Sequence, residues 1–166
     1  MELFLIRHAQ ALPVGGEGGP RTDAERPLSE EGRERFAAAV QALSALELRF
    51  ARVEHSPLLR AVQTAELLAP LLDGPTAVNT ELTREPGKSL LSSLGTDRTA
   101  LVGHEPYLSQ LLALLAFGEP RAASGVRFAK GGVAHLQGEP VRGGMQLRAL
   151  WPARTLALLA AHDGRA

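Results

Sequence analysis

Short apolar runs alternate along this chain with longer stretches of helical periodicity. Leu3 to Ile6 is a continuous apolar run of the kind shown by a strand buried on both faces, and it stops on Arg7 and His8. A polar, glycine-rich segment follows to about Pro27, and GGEGGP from Gly15 to Pro20 reads as a mobile loop. Ser29 is placed to cap a helix, with Glu30 and Glu31 against its positive end. Phe36, Val40, Leu43 and Leu46 recur at helical spacing and predict its core face. Arg52 to His55 reads as a second strand, and Ser56-Pro57 as the cap and first residue of the next helix. That helix carries Leu58, Val62, Ala65 and Leu68 on one side. Thr99 to Val102 is a third strand, closed by Gly103-His104, and Pro106 opens a helix with Tyr107, Leu108, Leu111, Leu112 and Leu115. Gly132 to Leu136 and Met145 to Trp151 predict a hairpin with a glycine-rich link, and Pro152 starts a last helix through Leu156 and Leu159.

Strands alternating with helices predict an α/β fold, a mainly parallel sheet with the late hairpin as an antiparallel edge. In such sheets ligands gather beyond the carboxyl ends of the strands. Arg7-His8 ends the first strand, SPLLR follows the second and Gly103-His104 ends the third. One rim would therefore collect Arg7, His8, Arg60 and His104.

Composition narrows the classes. At 166 residues the chain suits one domain, residues 1–166, and its 45% hydrophobic and 22% charged content is that of an ordinary globular protein. Lys+Arg and Asp+Glu are both 18, which offers no attraction to nucleic acid or an anionic membrane. The positive charge is nearly all arginine, with lysine only at 88 and 130. With no cysteine, disulfides, thiolate zinc sites and a cysteine nucleophile are excluded. The stretch from Met1 to Ile6 is too short for a secretory signal, and no apolar run approaches the ~20 residues of a membrane span. A cytoplasmic location is the expectation.

The four residues at the rim suggest phosphoryl chemistry. Two arginine forks match a tetrahedral oxyanion and neutralise it. A neutral histidine between them can attack phosphorus and carry the group as a phosphoramidate. The second histidine steadies the oxygens as charge develops, and Arg60 in the first turn of its helix adds the field of the helix N-terminus.

This pattern resembles the histidine phosphatase superfamily, also called phosphoglycerate mutase-like. The matching pieces are IRHA at the first strand end, RPLSEEG before the first helix, HSPLLRAVQTA at the second strand and VGHEP after the third. They span about two thirds of the chain in the family's order. The resemblance implies a three-layer sandwich with a mixed, mainly parallel sheet between helices. It also implies His8 as the phospho-accepting nucleophile, Arg7, Arg60 and His104 as the phosphate pocket, and no metal or cofactor. Within the superfamily the short chain and the RPL segment are most similar to the SixA-type phosphohistidine phosphatases, which lack a large lid insertion.

Two positions depart from that pattern. Ala9 stands where the family usually has glycine, and the usual general-acid glutamate has no clear counterpart, the candidates being Glu81 and then Glu85. An alkoxide leaving group wants a proton as its bond breaks, whereas imidazole, with a reference pKa of about 6.5, departs with less help. The leading expectation is therefore a metal-independent protein phosphohistidine phosphatase, its partner a phosphorylated protein of the histidine-containing phosphotransfer type. The alternatives are a small-molecule phosphomonoester phosphatase, with a small phosphorylated molecule as substrate, and a non-catalytic phosphate-binding adaptor. Arg26 is open between a loop salt bridge and a further phosphate contact. His55 is expected in the core or pocket wall near the rim, and His135 and His162 in structural roles.

Overall fold

The computed structural model describes residues 1–15 and 19–163, except the side chains of His162 and Asp163. The loop expected at Gly15 to Pro20 thus lies partly outside the described residues, as does the side chain of His162. In chain order the elements are β1 (Glu2–Arg7), α1 (Glu30–Ala45), β2 (Arg52–His55), α2 (Leu59–Leu67), β3 (Thr76–Val78), α3 (Lys88–Ser93), β4 (Thr99–Gly103), α4 (Tyr107–Phe117), β5 (Val133–Gly138), β6 (Met145–Trp151) and α5 (Ala153–Asp163). The sheet order is β3-β2-β4-β1-β5-β6. Strands β1 to β4 run parallel, β5 is antiparallel to β1, and β6 is antiparallel to β5.

Position in the sheet explains the first apolar run. β1 lies inside the sheet, its two edges paired with β4 and β5, and helices cover both faces of Leu3 to Ile6. Phe4 and Ile6 pack with Phe36, Leu43, Ala61, Ala65 and Leu156, which belong to α1, α2 and α5. Leu3 and Leu5 point the other way, among Leu90, Leu108, Leu111 and Leu112 of α3 and α4. These are the three layers of an α/β sandwich with the mixed sheet in the middle, as expected. Each fully buried leucine contributes about 1.5–3 kcal/mol by leaving water. Among the described residues no helix is long and apolar enough to cross a membrane.

α1 begins as expected: the Ser29 hydroxyl accepts a hydrogen bond from the Gly32 amide at 3.1 Å, and Glu30 and Glu31 occupy the first turn. Four local expectations are corrected. Leu46 is the C-cap of α1 and exposed, because the helix ends before its core stripe reaches that residue. Ser56-Pro57 precedes α2 rather than starting it; Leu58 is the cap, and the Ser56 hydroxyl accepts from the Leu58 amide. Pro152 precedes α5, which starts at Ala153, and the helix is apolar on one side only, with Leu156 buried and Leu159 exposed. The edge strand β3 has no counterpart in the sequence reading, so the strand at Thr99 is the fourth.

Register brings the functional ends together. Arg7 pairs with Gly103 across β1 and β4, and His55 pairs with Val102 across β2 and β4. The carboxyl ends of β1, β2 and β4 are therefore level, and the chain leaves each of them into the same rim.

Candidate active site

His8 follows β1 and is buried, its amide donating to the Gly103 carbonyl at 3.1 Å. Its Nδ1 lies 2.7 Å from the Ala9 carbonyl oxygen, which only accepts, so Nδ1 carries the ring proton. The lone pair is then on Nε2, and the Arg60 Nε–H donates to it at 3.2 Å. The backbone thus chooses the tautomer, and Nε2 faces the cluster. Burial pushes the imidazole down from 6.5 to about 3, against the Ala9 hydrogen bond and with help from His104, Arg60 and Arg7. The ring is held neutral.

Arg60, buried in the first turn of α2, directs its other nitrogens to one partner. They donate to the Asp23 carbonyl at 2.6 Å and the Asp23 carboxylate at 2.9 Å. The segment carrying Asp23 is stitched to α2, since the Leu59 amide donates to the Ala24 carbonyl and the Leu28 amide to the Gln63 side chain. The Leu59 amide is therefore already engaged, and the positive end of α2 acts at the site chiefly through Arg60. Thr64 joins the same parts: its hydroxyl accepts from the Ala9 amide at 3.1 Å and donates to the Arg60 carbonyl at 2.7 Å.

His104 follows β4, its ring 5.0 Å from that of His8 and its Nε2 2.7 Å from the Ser56 hydroxyl oxygen. Burial lowers it to about 4, and Arg60 and Arg7 push the same way while Asp23 opposes them. Arg7 donates to the Phe128 carbonyl at 2.7 Å, and burial lowers its pKa, partly offset by Glu105. Buried polar atoms are normally hydrogen-bonded. Among the described residues three buried side-chain atoms have no partner, and two of them, Arg7 Nε and His104 Nδ1, belong to this cluster. The arrangement presents cationic and donor groups around a neutral imidazole nitrogen, which suits a tetrahedral anion.

The other candidates lie as follows. Arg26 forms an ion pair with Asp23 at 3.0 Å and donates to the Leu12 carbonyl, so it reaches the cluster through Asp23. The loop salt bridge is thus present. Glu81 sits in the short 3-10 turn Thr80–Thr83 and is paired with Arg84; no hydrogen bond or ion pair joins it to the four residues. Glu85 is exposed. Ala9 is buried, and its methyl group fits where the family usually has glycine. His55 is buried with Nδ1 against the Ser56 carbonyl. His135 stacks on Phe4 at 4.6 Å and pairs with Glu2. Among the described residues no three His, Cys, Asp or Glu side chains are grouped to hold a metal ion.

Asp23 is the residue the sequence reading missed. Arg26 and Arg60 hold its carboxyl below the usual carboxylate range, the bond from Arg26 counting most. Its signal in the sequence is slight, one carboxylate three places before Arg26 in a charged loop.

Comparison with known proteins bears on the family and the fold. The model of the histidine phosphatase superfamily (branch 1) matches residues 3–85. An uncharacterized protein of Picosynechococcus is 33% identical over 132 residues, covering 72% of this chain and 75% of that protein. The mouse mitochondrial serine/threonine-protein phosphatase PGAM5 is 35% identical over 83 residues, which is 50% of this chain and 27% of that protein. The chain thus matches little more than a quarter of that relative's length. A structure of the protein histidine phosphatase SixA complexed with tungstate is 25% identical, with a TM-score of 0.78 over 94% of this chain and 99% of that one. A family model spanning half of the chain, a shared fold and a cationic pocket around a neutral histidine converge on one assignment: the chain belongs to the histidine phosphatase superfamily, branch 1, and is a histidine-type phosphatase.

Proposed function

We propose that this enzyme hydrolyses protein phosphohistidine through a covalent phosphoryl group on His8. The observation that carries the reading is the His8 ring itself, with its proton fixed on Nδ1 by the Ala9 carbonyl and its unprotonated Nε2 turned to the Arg60 guanidinium, from which it accepts. In the first step the Nε2 lone pair forms a bond to phosphorus while the bond to the leaving group breaks and that group takes the electron pair. Arg7, Arg60 and His104 hold the three equatorial oxygens. In the second step water adds to phosphorus, the P–Nε2 bond breaks, and neutral His8 and inorganic phosphate result. Asp23, held ionised by Arg60 and Arg26 and so a weak base, accepts the proton of that water as the O–P bond forms and the water becomes acidic, and then releases it to solvent.

The same ionisation favours the substrate. An ionised Asp23 has no proton to give to a departing alkoxide, and Glu81, the expected general acid, is engaged with Arg84. Imidazole, with a reference pKa of about 6.5, needs the least help of the common biological leaving groups. The similarity to SixA, solved with a tetrahedral oxyanion, supports the same class of substrate.

Rapid quench with 32P-labelled p-nitrophenyl phosphate tests the covalent step. The expected result is labelled enzyme, stable to base and labile to acid, and no label in His8→Ala. Undiminished label in that variant moves the nucleophile elsewhere. Turnover of a histidine-phosphorylated protein compared with sugar phosphates, both in EDTA, then tests the substrate. Preference for sugar phosphates makes it a small-molecule phosphatase, and no turnover of the histidine-phosphorylated protein overturns the phosphohistidine reading.

A further inference from the structure

A second cationic feature lies beside the nucleophile. A recess of about 210 Å³ opens between the N-terminal turns of α1 and α5. Its buried lining includes Ala9, Phe36 and Ala153, and its exposed lining carries Arg35, Lys130 and Arg154. Arg35 is paired with Glu31, but Lys130 and Arg154 make no ion pair among the described residues. The chain as a whole has no net charge, so this concentration of positive charge is local.

The recess shares backbone with the site. Ala9 follows His8, and the Gly131 amide donates to the carbonyls of both Arg7 and His8, at 3.0 and 3.1 Å. β6 runs parallel to β1 because each is antiparallel to β5, so α5 starts at the rim where β1 ends. A phosphorylated side chain reaching His8 would bring its neighbouring residues over this recess. The three cations are exposed and spread around the opening rather than buried at one point, which suits several carboxylates on a protein surface. Exposed charge of this kind acts mainly on the rate of encounter.

We propose that the recess rimmed by Arg35, Lys130 and Arg154 is a docking subsite for an acidic segment beside the phosphorylated residue of a protein substrate. It rests on the phosphoprotein reading above. The recess takes no part in bond breaking; it raises the local concentration of the correct partner.

The test compares wild type with Lys130→Glu/Arg154→Glu on two substrates. One is p-nitrophenyl phosphate. The other is a histidine-phosphorylated phosphotransfer protein with acidic residues beside its phosphohistidine. For the phosphoprotein, kcat/KM is expected to fall at least about 10-fold, mostly in KM, and no longer to decline with added salt as it does for wild type. For p-nitrophenyl phosphate it should stay within about twofold, which also shows that the variant is folded and its site intact. Lys130→Arg/Arg154→Lys should restore the phosphoprotein rate. Neutralising the acidic residues of the substrate should reproduce the loss in wild type and relieve part of it in the double-reversal enzyme. A phosphoprotein rate unchanged by the reversal overturns the docking subsite and leaves the substrate reading standing. Equal losses on both substrates overturn it too, assigning the recess to the phosphate site or to small anions. Turnover of p-nitrophenyl phosphate alone, with none of the phosphoprotein by wild type, overturns both readings.

Discussion

His8 must be neutral to attack, and its environment sets how far into acid it stays so. Burial beside three other cationic or titratable groups lowers it from 6.5 to about 3, a penalty of about 5 kcal/mol against the imidazolium. At pH 5 a histidine at its ordinary value is about 97% protonated, and one near 3 is about 1% protonated. An ordinary His8 would therefore cost about 30-fold in the reactive free enzyme between pH 7.5 and 5, and the buried His8 almost nothing. His104, lowered to about 4, also stays neutral over that range. The measurement is kcat/KM from pH 4 to 8, corrected for the second ionisation of the substrate phosphate. It is paired with an NMR titration of the His8 side chain, identified by its loss in His8→Asn. The expected result is a profile without a break near 6.5 and a His8 ring that starts to titrate only below about pH 4. A folded His8 with a midpoint near 6.5 would refute the reasoning, because burial and the Arg60 contact would then not be acting on it.

The same shifts act on stability, with the sign set by the unfolded chain, which takes up protons below 6.5 that folded His8 and His104 refuse. Stability is expected to be full above about pH 7 and to fall as pH drops from 6.5 towards 4, with a shallower slope in His8→Asn when urea midpoints are compared. Asp23→Asn should slow the second step by about 100-fold and let phosphoenzyme build up in rapid quench, while Glu81→Gln should not; the reverse pattern would hand the proton transfer to Glu81. Gly32→Ala should destabilise by about 1–3 kcal/mol in chemical denaturation, since a Cβ there would stand 2.1 Å from the Gln10 carbonyl oxygen.

Much of this molecule is written locally. The central strand is readable because a strand covered on both faces needs the unbroken apolar run of Leu3 to Ile6. α1 is readable because Ser29 and the glutamates after it meet the exposed amides of a helix start, a requirement of any helix. Gly32 in RPLSEEG marks the close approach of the Gln10 backbone, so the family motif records a packing constraint. β3 left no trace because it is a three-residue edge strand whose Thr76 and Val78 are exposed, giving no face to repeat. Ser56-Pro57 misled because the same hydroxyl that serves the Leu58 amide is also the partner of His104, a residue absent from any local window.

By itself the sequence determined the alternation of strands and helices, the layered class, the placing of Arg7, His8 and His104 at strand ends and that of Arg60 in the helix turn after a strand, because periodicity and helix caps are short-range demands. Tertiary structure alone decided that Asp23 grips Arg60, that the Ala9 carbonyl puts the proton on Nδ1 of His8, and that both imidazoles are stripped of water and held neutral. Those are properties of burial and of contacts between distant parts of the chain, and they exist only once the sheet has brought its carboxyl ends level.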